Sequence, residues 1–129
     1  YLYQFDAATN NPAPGGGPVG ALRGVCPAGW HVATDCEFQY VEHALGMTVA
    51  EQQAVGVRAS GSVGTLMKSG GSSGFDMPLS GARRYNTGFI NGGSEGHLWS
   101  TDCDTSAWPV GGCYKRILNV ADGNITRIK

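Results

Sequence analysis

Residues 24–47 read GVCPAGWHVATDCEFQYVEHALGM, and their reading decides the fold. Cys26, Pro27, Ala28 and Gly29 punctuate a turn, Trp30, His31 and Val32 read as a short strand, and Thr34 closes that strand and opens a helix. Thr34 with Glu37 three residues on is a capping box, in which each side chain satisfies a backbone N–H that the first helical turn leaves orphaned. Phe38, Val41 and Leu45 recur at i, i+3 and i+7 and so share one face, while Gln39, Glu42 and His43 are expected to point elsewhere. Gly46 is the stop signal. One amphipathic helix entered from a tryptophan-bearing strand is a nucleus on which a sheet can pack.

Outward from this stretch, the 129 residues fit a single domain spanning 1–129. Net charge is −1 with 15% charged residues, so the chain lacks the basic field that would hold nucleic acid or an anionic membrane surface. No run approaches the ~20 apolar residues of a membrane span. Glycine makes up 21 residues, but three Trp, five Tyr and four Phe argue against disorder and assign the glycines to ordered loops and turns. The chain opens at Tyr1 without methionine or leader, and the expectation is a mature or excised segment.

Residues 1–5 alternate and read as a first strand; residues 6–20, DAATNNPAPGGGPVG, read as a mobile loop. Thr48 and Glu51 form a second capping box, so a short helix is predicted over 49–55, ended by Gly56. Residues 56–74 read as a long Gly/Ser-rich loop anchored by Leu66 and Met67. They contain no Asp, Glu or Asn, which argues against a calcium and sugar site there, because a hard cation needs several oxygen ligands with carboxylate among them. Strands are predicted up to Arg84, over 89–90, 97–101 and 114–119, and over 125–128 after a hairpin turn at 121–124. Helices first and strands joined by tight turns later give an α+β class with a mostly antiparallel sheet.

The four cysteines fall as two pairs ten residues apart, Cys26 with Cys36 and Cys103 with Cys113. Neither pair has the short spacing of structural zinc, and disulfides in an oxidising compartment are the reading. Three pairings are possible. Cys103 with Cys113 fits best, since that bridge would close a loop between neighbouring strands, and Cys26 with Cys36 is left over.

Many short motifs occur in an order that resembles a known family: Cys-Pro-x-Gly-Trp-His-Val at 26–32, Thr34-Asp35-x-Glu37-Phe38, Leu45-Gly46-Met47, Ala50-Glu51-Gln52 and Leu66-Met67-Lys68. They continue with Ser73-Gly74-Phe75, Leu79-Ser80-Gly81-Ala82-Arg83, Leu98-Trp99-Ser100-Thr101 and Tyr114-Lys115-Arg116-Ile117-Leu118. The chain resembles the Fibrobacter succinogenes major paralogous domain, common in Bacteroidetes-type surface and secreted proteins. The resemblance implies a C-type-lectin-like α+β fold, a main amphipathic helix plus a short one on the sheet, Gly-rich loops, and in general no known enzymatic activity. Members usually finish with a strand of the type Gly-Phe-Ser-Val-Arg-Cys, which does not occur before Lys129. The resemblance therefore also implies an open sheet edge where another chain could add a strand, and a further partner for Cys26 or Cys36.

His31, His43 and His97 are scattered, and no serine or cysteine lies in a nucleophile motif, so no catalytic residue, metal or cofactor is assigned. The related fold of formylglycine-generating enzymes would predict a reactive thiol, for which no matching motif occurs. Trp30 and Trp99 are expected in the core. Trp108 lies in the loop closed by Cys103 and Cys113 with Asp102 and Asp104, where an exposed aromatic beside polar groups suits a sugar ring or a protein hot spot. With Arg84 and Tyr85 at a strand end, these are the expected contacts for a surface protein or glycan ligand. Asn124-Ile125-Thr126 is a glycosylation sequon in a turn that has its own reason for Asn. The function expected is an extracellular, non-enzymatic binding or adhesion module at the cell surface, or else a structural subunit of a filament or complex completed by strand donation.

Overall fold

The computed structural model describes residues 2–10, 22–59, 61–103 and 112–129. The order is α1 Phe5–Thr9, α2 Asp35–Ala44, α3 Val49–Gln53, β1 Gly56–Arg58, α4 Val63–Met67, β2 Ala82–Arg84, β3 Gly88–Ile90, β4 Glu95–Cys103, β5 Cys113–Asn119 and β6 Ile125–Ile128. Four strands form one antiparallel sheet in the order β1-β6-β5-β4, and β2 with β3 forms a separate hairpin. The class is α+β. β6 lies inside the sheet between β5 and β1, so among the described residues the edges of the sheet are β4 and β1.

Both capping boxes form. Thr34 Oγ1 accepts from Glu37 N at 3.1 Å while Glu37 accepts from Thr34 N at 2.8 Å, and Thr48 with Glu51 repeats the arrangement. Each cap contributes about 1 kcal/mol. Ten residues make too short a helix to persist alone, so α2 depends on what its buried face meets. That face carries Asp35, Phe38 and Glu42, and Glu42, expected to point away from the core, is wholly buried. Val41 and Leu45 are partly buried and pack at the margin of an apolar cluster made by Met47, Val63, Met67, Met77, Leu118 and Ile125.

Other expectations are corrected. Residues 5–9 are helical, with Ala8 N donating to Gln4 O and Thr9 Oγ1 to Phe5 O, both at 2.9 Å. An alternation counted over five residues was too short to outweigh Ala7 and Ala8. Trp30 to Val32 supplies only a single bridge, Val32 to Leu22, and Trp30 is 72% exposed instead of being in the core. The predicted loop over 56–74 contains β1 and α4. Gly64 lets α4 approach the β5–β6 turn, because a Cβ there would run into the carbonyls of Gly123 and Asn124. Lys68 Nζ ties the same turn down by donating to Asn119 O at 2.8 Å and Asp122 O at 2.6 Å.

Candidate functional site

Alternating side chains give the four-stranded sheet two unlike faces. On the helix side, Gly96, Leu118, Ile125 and Arg58 lie in one row and Leu98, Arg116 and Arg127 in the next. Three arginines here meet two carboxylates from α2. Glu42 accepts from both ends of the Arg58 guanidinium at 2.7 Å and from Arg116 Nε at 2.7 Å. Asp35 accepts from Arg116 Nη1 at 2.5 Å, and from Arg127 Nε at 3.0 Å and Nη2 at 2.6 Å. Burial opposes ionisation of Asp35, but the hydrogen bonds and charges of Arg127 and Arg116 outweigh it and hold the carboxyl below the usual range. Arg116 also lies over the Phe38 ring and Arg127 over Tyr114. This network fastens α2 to the sheet.

The opposite face carries His97, Ile117 and Thr126 in one row and Trp99, Lys115 and Ile128 in the other. It opens into a cleft of about 940 Å³ walled by the N-terminal segment and by β2. The N-terminal wall is fixed by Trp99, whose Nε1 donates to Tyr3 O at 3.3 Å and whose ring meets Phe5 edge-on with centroids 5.6 Å apart. It is also fixed by Gly24, whose φ of +54° suits glycine and whose missing Cβ admits Ala8 O; Val25 N then donates to that oxygen at 3.0 Å. The second wall joins β4 through Gly81 N, which donates to Glu95 O at 2.7 Å.

Charge in the cleft is uneven. Asn91 hydrogen-bonds Glu95 at 2.8 Å and holds its carboxyl low against a small burial cost, assisted by His97 at 3.1 Å and by the charge of Arg84. Burial pushes the Lys115 ammonium down, the neighbouring Arg84 charge pushes the same way, and Glu95 offsets this in part. Lys115 Nζ sits 5.4 Å from the Trp99 ring centroid. Among the described residues neither Arg84 nor Lys115 has a carboxylate within ion-pair distance.

Of the predicted contact residues, Arg84 lines this cleft and Tyr85, 97% exposed, stands in the turn just after β2. Asp102 is elsewhere and otherwise engaged: its Oδ2 accepts from Asp35 N at 2.5 Å and so helps to cap α2. Asp104 and Trp108 lie outside the described residues. Cys103 and Cys113 are bridged, joining the ends of β4 and β5. The remaining pair is corrected: Cys26 and Cys36 are free thiols. Cys36 sits in the first turn of α2 with its side chain on the exposed face, beside rather than on the buried stripe of Asp35, Phe38 and Glu42. Trp99, expected as core, is a half-buried floor residue of the cleft together with Lys115, which the sequence had not singled out, and His97, to which it had assigned no role. Their signal was the pairing of alternating HLWS with YKRI, which places them on one face. Among the described residues no group of three or more His, Cys, Asp or Glu side chains is placed to hold a metal ion, and no helix is long and apolar enough to cross a membrane.

The family model described as the Fibrobacter succinogenes major domain matches residues 1–121. No curated protein and no solved structure matches the chain.

Proposed function

This chain belongs to the Fibrobacter succinogenes major domain family, and from that premise we propose that it is a C-type-lectin-like, non-enzymatic binding module displayed outside the cell. The observation that carries the reading is the division of labour between the two faces of the sheet. One face is consumed by the Asp35–Glu42–arginine network, and the other opens a cleft beside an exposed hairpin. Large aromatics stand free there, Tyr85 at 97% exposure and Phe89 at 76%, and a rigid aromatic beside unpaired cations is the usual make-up of a recognition surface. Contacts are assigned to Arg84 and Tyr85, with Trp108 and Asp104 contributed by the segment that the Cys103–Cys113 bridge closes. A disulfide supports an oxidising, extracellular setting.

The test is a panel of cell-envelope glycans and purified surface proteins presented to the immobilised chain. The expected result is a ligand whose affinity falls at least about tenfold in the Arg84→Ala, Tyr85→Ala double variant while thermal unfolding is unchanged. Unaltered binding by that variant and by Trp108→Ala would remove these contacts from the reading. A second reading, a structural subunit completed by strand donation, is favoured by one observation, that β4 is an edge of the sheet.

A further inference from the structure

We infer that the outer edge of β4, at His97 and Trp99, is a strand-addition site for an extended peptide bearing carboxylate side chains. The inference deepens the binding-module reading and rests on it.

Residues of a strand direct their N–H and C=O groups alternately to the two neighbouring positions. Glu95 N donates to Asn91 O at 3.0 Å and Glu95 O accepts from Gly81 N at 2.7 Å, so Glu95 points away from β5. Two and four residues on, His97 and Trp99 point the same way. Past the register shift that follows Trp99, Thr101 N donates to Ala33 O at 3.0 Å. Between these two tie points the N–H and C=O groups of His97 and Trp99 have no backbone partner among the described residues. The gap spans five residues, 96–100, or roughly 16 Å of strand at ~3.3 Å per residue. An edge of that kind is a template for another strand. The other edge, β1, is three residues long and offers little to pair with.

The cleft selects the occupant. The same stretch of β4 lines the ~940 Å³ cleft, so among the described residues the approach to its edge runs along that cleft, between α1 and β2. An added strand would turn alternate side chains to the face that holds Trp99, Lys115 and His97, with Arg84 on the facing wall. Arg84 and Lys115 repel each other there, and Glu95 is already shared between Asn91 and His97. A carboxylate on the incoming strand would take the two cations as a pair, and a β-branched or aromatic neighbour would cover Trp99. A basic peptide would add to the repulsion. The backbone bonds give affinity, and the cations give selection by charge.

The experiment uses the oxidised full chain, isotopically labelled, titrated with three hexapeptides: alternating Glu and Val, the same with Lys for Glu, and the Glu peptide N-methylated at alternate backbone nitrogens. With the Glu peptide, amide exchange at His97 and Trp99 should slow at least about tenfold. The Lys peptide should bind at least about tenfold more weakly, and the Arg84→Glu, Lys115→Glu variant should reverse that preference. Unchanged exchange at the two amides, or equal binding of the N-methylated peptide, overturns strand addition. If the Arg84 and Tyr85 signals shift with a ligand from the glycan and protein panel while those amides stay unprotected, strand addition fails and the binding-module reading stands. If no ligand of either set binds, both fall.

Discussion

Glu42 on α2 and Arg116 on β5, 74 residues apart in the chain, meet through a 2.7 Å hydrogen bond at zero side-chain exposure. The same carboxylate holds Arg58 from β1 through two further bonds. One side chain thus fastens α2 to two strands of the sheet. Removing it leaves the buried Arg58 guanidinium without a carboxylate and Arg116 with Asp35 alone. Glu42→Gln is expected to destabilise the chain by about 3–5 kcal/mol, measured by urea unfolding. A loss under about 1 kcal/mol would return Glu42 to the solvated role its helical position first implied.

Asp35 sets the acid limit. Its folded carboxyl titrates below the ordinary aspartate value of about 3.9, because Arg127 and Arg116 stabilise the anion more than burial disfavours it. The unfolded chain therefore binds the proton first as pH falls. The associated stability is fully present above pH ~4 and is lost progressively as pH drops from there through the lowered folded value. Unfolding free energies measured between pH 7 and pH 2.5 should show this acid limb, and Asp35→Asn should flatten it while lowering stability at pH 7. An unchanged limb in the variant would assign acid sensitivity to other carboxylates.

The sulfur chemistry makes a countable prediction. With Cys103 and Cys113 bridged and Cys26 and Cys36 free, thiol titration of the unreduced chain in denaturant should give two thiols per molecule. Zero would reinstate a Cys26–Cys36 bridge, and four would deny both. Replacing Cys103 and Cys113 together by Ser should cost about 2.7 kcal/mol on the chain-entropy estimate for a ten-residue separation, read from thermal or urea unfolding.

Gly24 tests how the N-terminal wall of the cleft is held. Its positive φ and its packing against Ala8 O leave no place for a side chain. Gly24→Ala should loosen α1 and with it the Tyr3 contact to Trp99, raising amide exchange at Ala8 and Val25 while α2 stays protected. The strain itself costs about 1–3 kcal/mol. Unaltered exchange at Val25 would show that the wall is held elsewhere.

Local chemistry was legible where a few neighbouring residues settle the conformation. Thr34 with Glu37 and Thr48 with Glu51 marked the starts of α2 and α3, and the turn at 121–124 with its return strand lies as its residues imply. The polar core was not legible, because a search for apolar periodicity discards Asp35 and Glu42 although they share the spacing of Phe38. Their partners Arg58, Arg116 and Arg127 are up to 92 residues away, and only the sheet register reveals that all three face α2. Trp30 misled for the converse reason: a large aromatic between Gly29 and His31 invites a core assignment, yet its segment makes a single bridge and lies outside the packed layers. The cleft depends on the same register, which turns His97, Trp99 and Lys115 to the side away from α2.

Native-state amide exchange of the ligand-free, oxidised chain tests most directly whether one face of this sheet is clamped while the β4 edge is left to receive a partner. The account predicts an alternation along β4, with Gly96 and Leu98 protected through β5 and His97 and Trp99 exchanging fast, against strong protection throughout β5 and β6. Equal protection of His97 and Trp99 with their neighbours would mean that the edge is already filled, and would contradict it.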